Sequence, residues 1–339
     1  MTSPAPWLSI LVPVYNVEAY LAECVESVMQ QAGQGVEVIL LDDCSTDASW
    51  ASMQALAARW PGRLRLLRQG RNGGLSAARN ALIEDARGDY LWFLDSDDKL
   101  LPGAIDAMHA IVERHAPDLV LCDFQVWRAQ PRLKHRLRGE RHRRTFAGPA
   151  GRLGRDRPAL LAGMLATGQL HAWSKIARRA LWAPGLRFPP GRYFEDMATM
   201  PLLALRAASW YYAPSPWVAY RQRGGSILAA MTPQKALDQS GALAEFRRAL
   251  EQQEDCWRDP TLALALAHQS ARNLVGAMRC VAAHPHARAS TDAALAERFR
   301  QNFRAASPLS PRALERAYLL RGWWLRWYKF RHWFHYLQP

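Results

Sequence analysis

The chain has 339 residues, of which 49% are hydrophobic and 22% charged, which excludes a disordered chain and a small disulfide-stapled module. Its formal net charge is +14, and this excess lies in two segments, 128–157 with eleven Lys and Arg against two acids and 312–339 with six against one. Nucleic acid, an anionic membrane and an anionic substrate are therefore the partners to consider. The five cysteines form no CxxC pair, which argues against a zinc ribbon. Their odd number argues against a disulfide framework and predicts a location in the reducing cytoplasm.

The first 125 residues alternate between apolar runs and helical patterns. The predicted strands are Leu8–Val14, Val36–Leu41, Arg63–Leu67, Tyr90–Leu94 and Leu119–Phe124. The predicted helices are Val17–Gln31, for which Asn16 is the expected N-cap, Asp47–Trp60 and Leu75–Ala86. Strands that alternate with helices form βαβ units, so we predict an α/β fold with a doubly wound, mostly parallel sheet.

After Gln125 the pattern changes to an Arg-rich stretch and then to helices. Residues 128–157 show no clear periodicity and are predicted to be an exposed insertion. The later predicted elements are a short strand at Trp210–Ala213 and the helices Pro158–Thr167, Phe194–Ala207, Pro233–Gln253, Thr261–Ala283 and Thr291–Ala305. The pattern thus predicts a mainly helical C-terminal region, and no apolar window is long enough to predict a spanning helix.

We therefore divide the chain into four segments. Residues 1–125 form an α/β half, and residues 126–230 form a second half that contains the Arg-rich insertion 128–157. Residues 231–310 form a helical region, and residues 311–339 form an aromatic and basic tail.

Carboxylates follow the fourth predicted strand directly, in YLWFLDSDD. Asp95, Asp97 and Asp98 crowd the carboxyl end of that strand, where open α/β sheets bind ligands. Three carboxylates at such a point suit Mg²⁺ or Mn²⁺ shared with substrate phosphates. The alternative is an acidic surface turn in which Asp98 caps the next helix.

Two further strands end in polar groups at the same edge of the predicted sheet. In LLDDCSTD, Asp42 or Asp43 can accept hydrogen bonds from a base or ribose, while Ser45, Thr46 or Asp47 can simply cap the next helix. In RNGGLSAARN, two glycines permit close backbone approach and Arg79 can reach a phosphate. The alternative is a β-turn followed by an ordinary helix.

These motifs carry a family resemblance. SILVPVYNVEAYL, LLDDCSTD, NGGLSAARN and YLWFLDSDD, followed by HAWSK, YFEDM and YRQRGGSI, resemble family-two glycosyltransferases in order and spacing. The family fold is called GT-A. The resemblance implies transfer of a sugar from a nucleotide-diphosphate sugar, with UDP-sugar as the expected donor, with inversion and with Mn²⁺ or Mg²⁺ as cofactor.

The resemblance also implies roles for individual residues. The metal would bind Asp97, with Asp95 as second ligand, and the general base would be Asp196, with Glu195 second, although both acids also suit an ordinary helix N-terminus. The donor-binding residues would be Pro13, Val14, Tyr15, Asn16, Asp43, Asn72, Arg79, Asp95 and Ser96. The acceptor-binding residues would be His171, Trp173, Lys175, Arg221 and Arg223, although Trp173 is as readily a core residue.

The tail suggests where the acceptor resides. Residues 323–336 contain eight aromatic residues interleaved with Arg326, Lys329 and Arg331, a composition that suits a helix lying on an anionic leaflet. The expected acceptor is then a lipopolysaccharide core or a polyprenyl-linked saccharide, and the expected location is the inner face of the cytoplasmic membrane. The alternative is a terminal helix that packs its aromatics into the protein's own core.

Two other classes of protein remain open from the sequence. A nucleotidyltransferase can share this sheet, but PVYNVEAYL lacks the glycines and the basic residue expected after its first strand. A nucleic-acid-binding protein fits the net charge, but no recognition motif is present and no nucleic-acid partner is expected.

Overall fold

The computed structural model describes residues 5–128, 130, 133–183, 185–222, 231–283 and 289–337. These residues form two compact units. The first comprises the described parts of Met1–Asp156, Gln169–Gly191 and Arg206–Gly224, and the second those of Arg157–Gly168, Arg192–Leu205 and Gly225–Pro339. The functional division at residues 125, 230 and 310 stays a prediction.

The first unit is built on a mixed sheet. Its strands are β1 (Leu8–Val14), β2 (Val36–Asp42), β3 (Leu64–Arg68), β4 (Tyr90–Phe93), β5 (Lys99–Leu100), β6 (Leu119–Trp127), β7 (Leu153–Gly154), β8 (Lys175–Arg178) and β9 (Trp210–Arg221). The order is β3-β2-β1-β4-β8-β6-β9-β5, and β7 pairs with β9. Most paired residues lie in the parallel pairs β1–β2, β2–β3, β1–β4 and β6–β9, which confirms the predicted mostly parallel sheet.

Five α-helices belong to the described part of the first unit. They are α1 (Glu18–Met29), α2 (Ser49–Arg59), α3 (Gly74–Asp85), α4 (Ala104–His115) and the short α5 (Leu133–Leu137). In α1 the buried positions Leu21, Cys24, Val25 and Val28 recur at helical spacing. They pack with the buried residues of β1 in one apolar core, so that the polar strand ends are left at its margin.

The predicted N-cap of α1 is wrong. Asn16 has a left-handed φ of 50°, and its side-chain oxygen accepts the N–H of Thr46 at 2.9 Å instead of a helical N–H. The cap comes from the loop before α2, where Asp47 accepts the N–H of Glu18 at 3.2 Å. Glu18 in turn accepts the N–H of Ala48 at 2.7 Å, so each helix N-terminus is satisfied by a carboxylate from the other loop.

Four strands depart from the predicted pattern, of which the two-residue strands β5 and β7 were not predicted at all. No hydrophobic run predicted β8, which pairs antiparallel with β4 and β6. Strand β9 runs to Arg221, beyond the predicted end at Ala213. Its pairing to β6 steps from Cys122–Ala213 to Asp123–Pro216 and so skips Pro214, which has no N–H to donate to a partner strand.

Hydrogen bonds join part of the Arg-rich segment to β6, so the segment is not wholly exposed as predicted. Arg143 and Phe124 form an antiparallel bridge, and the N–H of Val126 donates to the carbonyl of Glu140 at 2.7 Å. The buried carboxylate of Asp123 accepts the N–H of Thr145 at 2.8 Å and contacts His142 Nε2 at 2.6 Å. Residues 140–145 therefore have a fixed backbone, which the charge pattern did not predict.

The second unit is helical, as predicted for the C-terminal region. Its helices are α6 (Arg157–Thr167), α7 (Glu195–Leu205), α8 (Pro233–Gly241), α9 (Ala244–Glu251), α10 (Glu254–Trp257), α11 (Pro260–Ala283), α12 (Ala289–Ala306), α13 (Pro311–Leu320) and α14 (Trp324–Phe334). The predicted single helix Pro233–Gln253 is two helices, because α8 ends at Gly241 and Leu243 caps α9. None of the described helices is long and apolar enough to cross a membrane.

The aromatic tail is divided between the core and the surface. Phe330 and Phe334 of α14 are buried with residues of α11 and α12, and Trp323 and Trp327 pack against the same cluster. Trp324 on the opposite side of the helix is exposed. The alternative of a helix docked into its own core is thus correct for one face of α14.

Candidate functional site

The loops that follow β1 and β2 are joined to each other. Pro13 and Val14 are buried, whereas Tyr15 is 46% exposed. The backbone N–H of Asn16 donates to the hydroxyl of Ser45 at 3.1 Å. The backbone of the first loop is thereby held in place while the Tyr15 ring remains open to solvent.

Asp43 organises the start of α3. Its two carboxylate oxygens accept the N–H groups of Gly73 and Gly74, each at 2.8 Å. Asn72 donates its side-chain amide to the carbonyl of Asp43 at 3.2 Å. Gly74 has a φ of +80°, a conformation that side-chain-bearing residues rarely adopt. Hydrogen bonds therefore join the glycine pair to Asp43, between the ends of β2 and β3.

The preceding residue, Asp42, faces the interior instead. Its side chain is fully buried, accepts the N–H of Ser45 at 3.1 Å and lies 3.1 Å from Arg68 Nε. Of the two adjacent aspartates, Asp43 is the one whose backbone and side chain join the loop before α3.

Arg79 lies in the interior of the first unit and contacts the acidic turn after β4. It is 1% exposed, and its Nη2 lies 2.9 Å from Asp95 Oδ1. The rings of Phe93 and Phe188 lie within 5.8 Å and 5.1 Å of its guanidinium. A buried cation needs such a partner, so Arg79 fixes the position of Asp95.

The turn Asp95–Asp98 contains three carboxyl groups close together in the chain. The N–H of Asp98 donates to the carbonyl of Asp95 at 3.0 Å, Ser96 is buried, and Asp97 is half-buried. Burial and the nearby charges of Asp95 and Asp97 hold the pKa of Asp98 well above its usual range. Asp98 does not cap α4, which was one predicted alternative; Gly103 occupies that position.

Arg221, at the end of β9, forms hydrogen bonds with the same turn. Its backbone N–H donates to Asp98 Oδ1 and its Nε donates to the carbonyl of Asp97, both at 2.7 Å. Its guanidinium stacks 3.6 Å from the Trp127 ring and pairs with Glu23 at 2.7 Å. Sequence reasoning missed Glu23 and Trp127, since α1 and β6 bring them to Arg221 only through tertiary packing.

An aromatic cluster lies beside this turn. The rings of His171 and Trp173 are stacked at 4.6 Å and 5°, and Trp173 is 1% exposed. Tyr220 stacks on Trp173 at 5.8 Å, and burial together with the charges of Asp98, Asp95 and Asp97 raises its pKa to about 12. Burial and the charges of Lys175 and Arg79 lower the pKa of His171 to about 3, so the imidazole is neutral at physiological pH.

Lys175 is also interior. It is 1% exposed, and its ammonium group donates to the carbonyl of Gln169 and to the hydroxyl of Ser174. Arg223 lies outside the described residues. Of the five predicted acceptor residues, the structure thus places four in the first unit, and it directs Trp173 and Lys175 inward.

Asp196 and Glu195 lie in the second unit. They are the first two residues of α7, and both are half-buried. Phe194 precedes them with a left-handed φ of 59°, an uncommon conformation for a bulky residue. The chain therefore turns sharply just before the two acids, at the end of the helix where negative charge is favoured.

The acidic turn meets one requirement for a divalent cation. Asp98 Oδ2 is buried and has no hydrogen-bond partner within the described part of the chain. In the same part no three His, Cys, Asp or Glu side chains form a ready-made ligand set. Mg²⁺ and Mn²⁺ held by one or two carboxylates and substrate phosphates need no such set, so the residues present fit a metal of that kind.

A mixed, mostly parallel sheet of this kind, followed by a helical region, is the GT-A fold of nucleotide-sugar-dependent transferases. The chain matches the family model "Glycosyl transferase family 2" over residues 9–164. It is 31% identical over 261 residues to the putative glycosyltransferase EpsH of Bacillus subtilis, covering 74% of this chain and 70% of EpsH. The chain therefore belongs to glycosyltransferase family 2.

Other similarities are more limited. The chain is 39% identical over 119 residues to the uncharacterized glycosyltransferase EpsJ of Bacillus subtilis, which covers 35% of this chain and only 34% of EpsJ. Among solved structures it is similar to S. aureus TarS 1-349 in complex with UDP-GlcNAc, with a TM-score of 0.71 and 19% identity, covering 97% of this chain and 90% of the other. That likeness is one of fold.

Proposed function

We propose that the protein transfers a sugar, with inversion, from a UDP-sugar to a hydroxyl group of a membrane-associated glycan. The observation that carries this proposal is the network of hydrogen bonds that joins the ends of β2, β4 and β9. Asp43 is bonded to the glycine pair, Arg79 to Asp95, and Arg221 to Asp97. Such fixed polar groups at strand ends suit recognition of a nucleotide diphosphate. The UDP-GlcNAc complex of TarS supports UDP as the nucleotide.

For the donor, we assign the base and ribose to the first two loops. Tyr15 presents an exposed ring, and Asp43 has oxygen lone pairs besides those that accept N–H groups. We assign Asn16 and Asn72, with the backbone of Pro13 and Val14, to the walls of this site. Arg79 acts through Asp95, because its guanidinium is already buried against that carboxylate.

A divalent metal would be held by Asp97, with Asp95 as second ligand. Bound there, Mn²⁺ or Mg²⁺ would stabilise the negative charge that develops on the leaving diphosphate. Asp98, whose raised pKa favours the neutral carboxyl, accepts the backbone N–H of Arg221, and Ser96 lies between the two ligands in the turn. Arg221 opposes the negative charge of the acidic turn through its own cation and so limits the repulsion within it.

The acceptor hydroxyl has to lose a proton as it attacks the anomeric carbon in a single displacement. We propose Asp196 as the general base that takes this proton, with Glu195 as the second candidate. Both acids lie in the first turn of α7 and are half-buried. We assign the acceptor to the aromatic cluster, where the neutral imidazole of His171 and the ring of Tyr220 can contact a sugar, and to Arg223.

The first experiment is calorimetric titration of UDP, with and without Mn²⁺. We expect metal-dependent binding to wild type and its loss in Asp97→Asn. Asp89→Asn is the matched control, because Asp89 is an exposed aspartate just before the amino end of β4. If UDP, GDP, CMP and dTDP all fail to bind, the donor site is wrong.

A second experiment tests the base and the stereochemistry. Asp196→Asn should abolish transfer from the UDP-sugar that supports turnover, while its UDP affinity stays within about twofold of wild type. Normal turnover by this variant would refute the assignment of Asp196. The anomeric configuration of the product, read by NMR, decides between inversion and retention.

A further inference from the structure

The last two described helices present an apolar face to solvent. Leu320, Trp324, Leu325 and Tyr328 are between 61% and 75% exposed. Trp324, Leu325 and Tyr328 lie within about one helical turn of one another on α14, and Leu320 ends α13 just before them. We call these four residues the outer face. A group of large exposed apolar side chains on a soluble surface marks a contact site.

The orientation of α14 is fixed by its other side. Phe330 and Phe334 are buried in the cluster formed with α11 and α12, and Trp323 and Trp327 pack against it. Arg331 pairs with Glu315 of α13 at 3.3 Å. Because the inner side of α14 is occupied by the protein's own core, the outer face cannot turn inward without breaking that packing.

Exposed cations lie on the same two helices as the outer face and on the residue that follows α13. Arg312, Arg316, Arg321, Arg326 and Lys329 are all exposed. Glu315 is the one acidic residue in the sequence 309–339, and Arg331 already pairs with it. The two helices that carry the four apolar side chains are thus strongly positive.

We propose that the outer face inserts into the interfacial layer of an anionic lipid bilayer. Trp and Tyr favour the membrane–water interface, and Lys and Arg favour anionic headgroups, which is the combination present here. Helices of 10 and 11 residues span about half of a bilayer core and therefore lie along its surface. A second copy of the chain fits less well, because a symmetric contact would bring the same row of cations together.

This inference deepens the proposed function, and its biological use rests on an acceptor that is carried by the membrane. The binding itself is measured without donor or acceptor. Wild-type protein should cosediment with vesicles of phosphatidylcholine and phosphatidylglycerol in a 3:1 ratio, and much less with phosphatidylcholine alone.

Three variants separate the outer face from the general positive charge of the chain. The first combines Leu320→Ser, Trp324→Ser and Leu325→Ser, and its vesicle partition should fall at least about tenfold. The second combines Arg312→Ala, Arg316→Ala and Arg321→Ala, and should fall on the order of a hundredfold. The control combines Arg138→Ala, Arg141→Ala and Arg155→Ala, which removes the same charge from the Arg-rich segment and should change binding by less than about twofold.

Two results would overturn the inference. One is a control variant that loses as much binding as the second variant, and the other is a first variant that binds like wild type. Concentration-dependent dimers that the first variant abolishes, without any vesicle binding by wild type, would assign the outer face to a second copy instead. The circular dichroism spectrum and urea midpoint of each variant confirm that it is folded. Vesicle binding by a protein that binds no nucleotide would refute the proposed function and leave this inference standing.

Discussion

Asp43→Ala tests whether the loop before α3 is held by a single carboxylate. The change removes two charge-assisted hydrogen bonds, to the N–H groups of Gly73 and Gly74. Bonds to charged groups contribute about 1.5–3 kcal/mol each when both partners are buried. Gly73 is exposed, so water can replace part of this loss. We expect the free energy of unfolding to fall by about 2–4 kcal/mol in urea titrations.

The same variant should bind UDP at least about tenfold more weakly in calorimetry, because it would lose the proposed contact to the nucleotide and the fixed loop together. Asp118→Ala is a matched control. Asp118 also accepts two backbone N–H groups, those of Ala208 at 2.9 Å and Ser209 at 3.0 Å, but it lies just before the amino end of β6. It should lose stability with no change in UDP affinity.

These two variants together separate a contact to the nucleotide from a loss of stability. An Asp43→Ala protein with wild-type UDP affinity would exclude Asp43 from the donor site. An equal loss of UDP affinity in both variants would show that general destabilisation, rather than the position of the carboxylate, controls binding.

Individual contacts support three further predictions. Arg221→Met should lower the free energy of unfolding by about 2–3 kcal/mol in urea, since it loses the bond to Asp97 and the ion pair with Glu23; an unchanged midpoint would contradict this. Asp123→Ala should speed amide hydrogen exchange at residues 140–145 and leave UDP affinity unchanged, whereas unaltered protection would show that Asp123 does not hold that segment. The folded pKa of His171 is about 3 and its unfolded pKa about 6.5, so between these values the unfolded chain alone binds this proton. The contribution of His171 to stability should fall by about 1.4 kcal/mol per pH unit from pH 6.5 down to pH 3, and His171→Gln should lack this component in urea titrations at pH 7 and pH 5.

The parallel half of the sheet was predictable because its strands are buried on both faces. A run such as Leu8–Val14 has every residue buried, so hydrophobicity alone identifies the strand. The carboxyl ends of such strands meet at one edge, and this rule is enough to predict that Asp43 and Asp95 lie at the same edge of the sheet.

The remaining strands could not be predicted in this way. Strand β8 is four residues, KIAR, and its place between β4 and β6 follows from tertiary pairing rather than from its composition. Strand β9 contains Pro214 and Pro216, which predict an end to the strand. Only the irregular register opposite Asp123 allows pairing to continue, and register is set by the partner strand.

The roles of the site residues were harder to predict from the sequence than their positions. In the sequence Arg79 looks like a ligand for phosphate and Arg221 like one for the acceptor, yet the structure pairs Arg79 with Asp95 and Arg221 with the Asp97 carbonyl and Glu23. The spacing of the motifs predicts that a cationic side chain lies near the site. It does not predict which anion that side chain pairs with.

It is difficult to assign a role by mutation to residues that hold the loops of a site. Because Asp43, Arg79 and Arg221 hold the loops that would meet the donor, their replacement changes both the stability of the loop and the shape of the site. Loss of activity alone cannot then distinguish a residue that touches the nucleotide from one that positions its neighbours. The distinction requires a control that removes similar bonds elsewhere, as Asp118→Ala does for Asp43, since only a contact to the nucleotide lowers affinity by more than the shared structural effect.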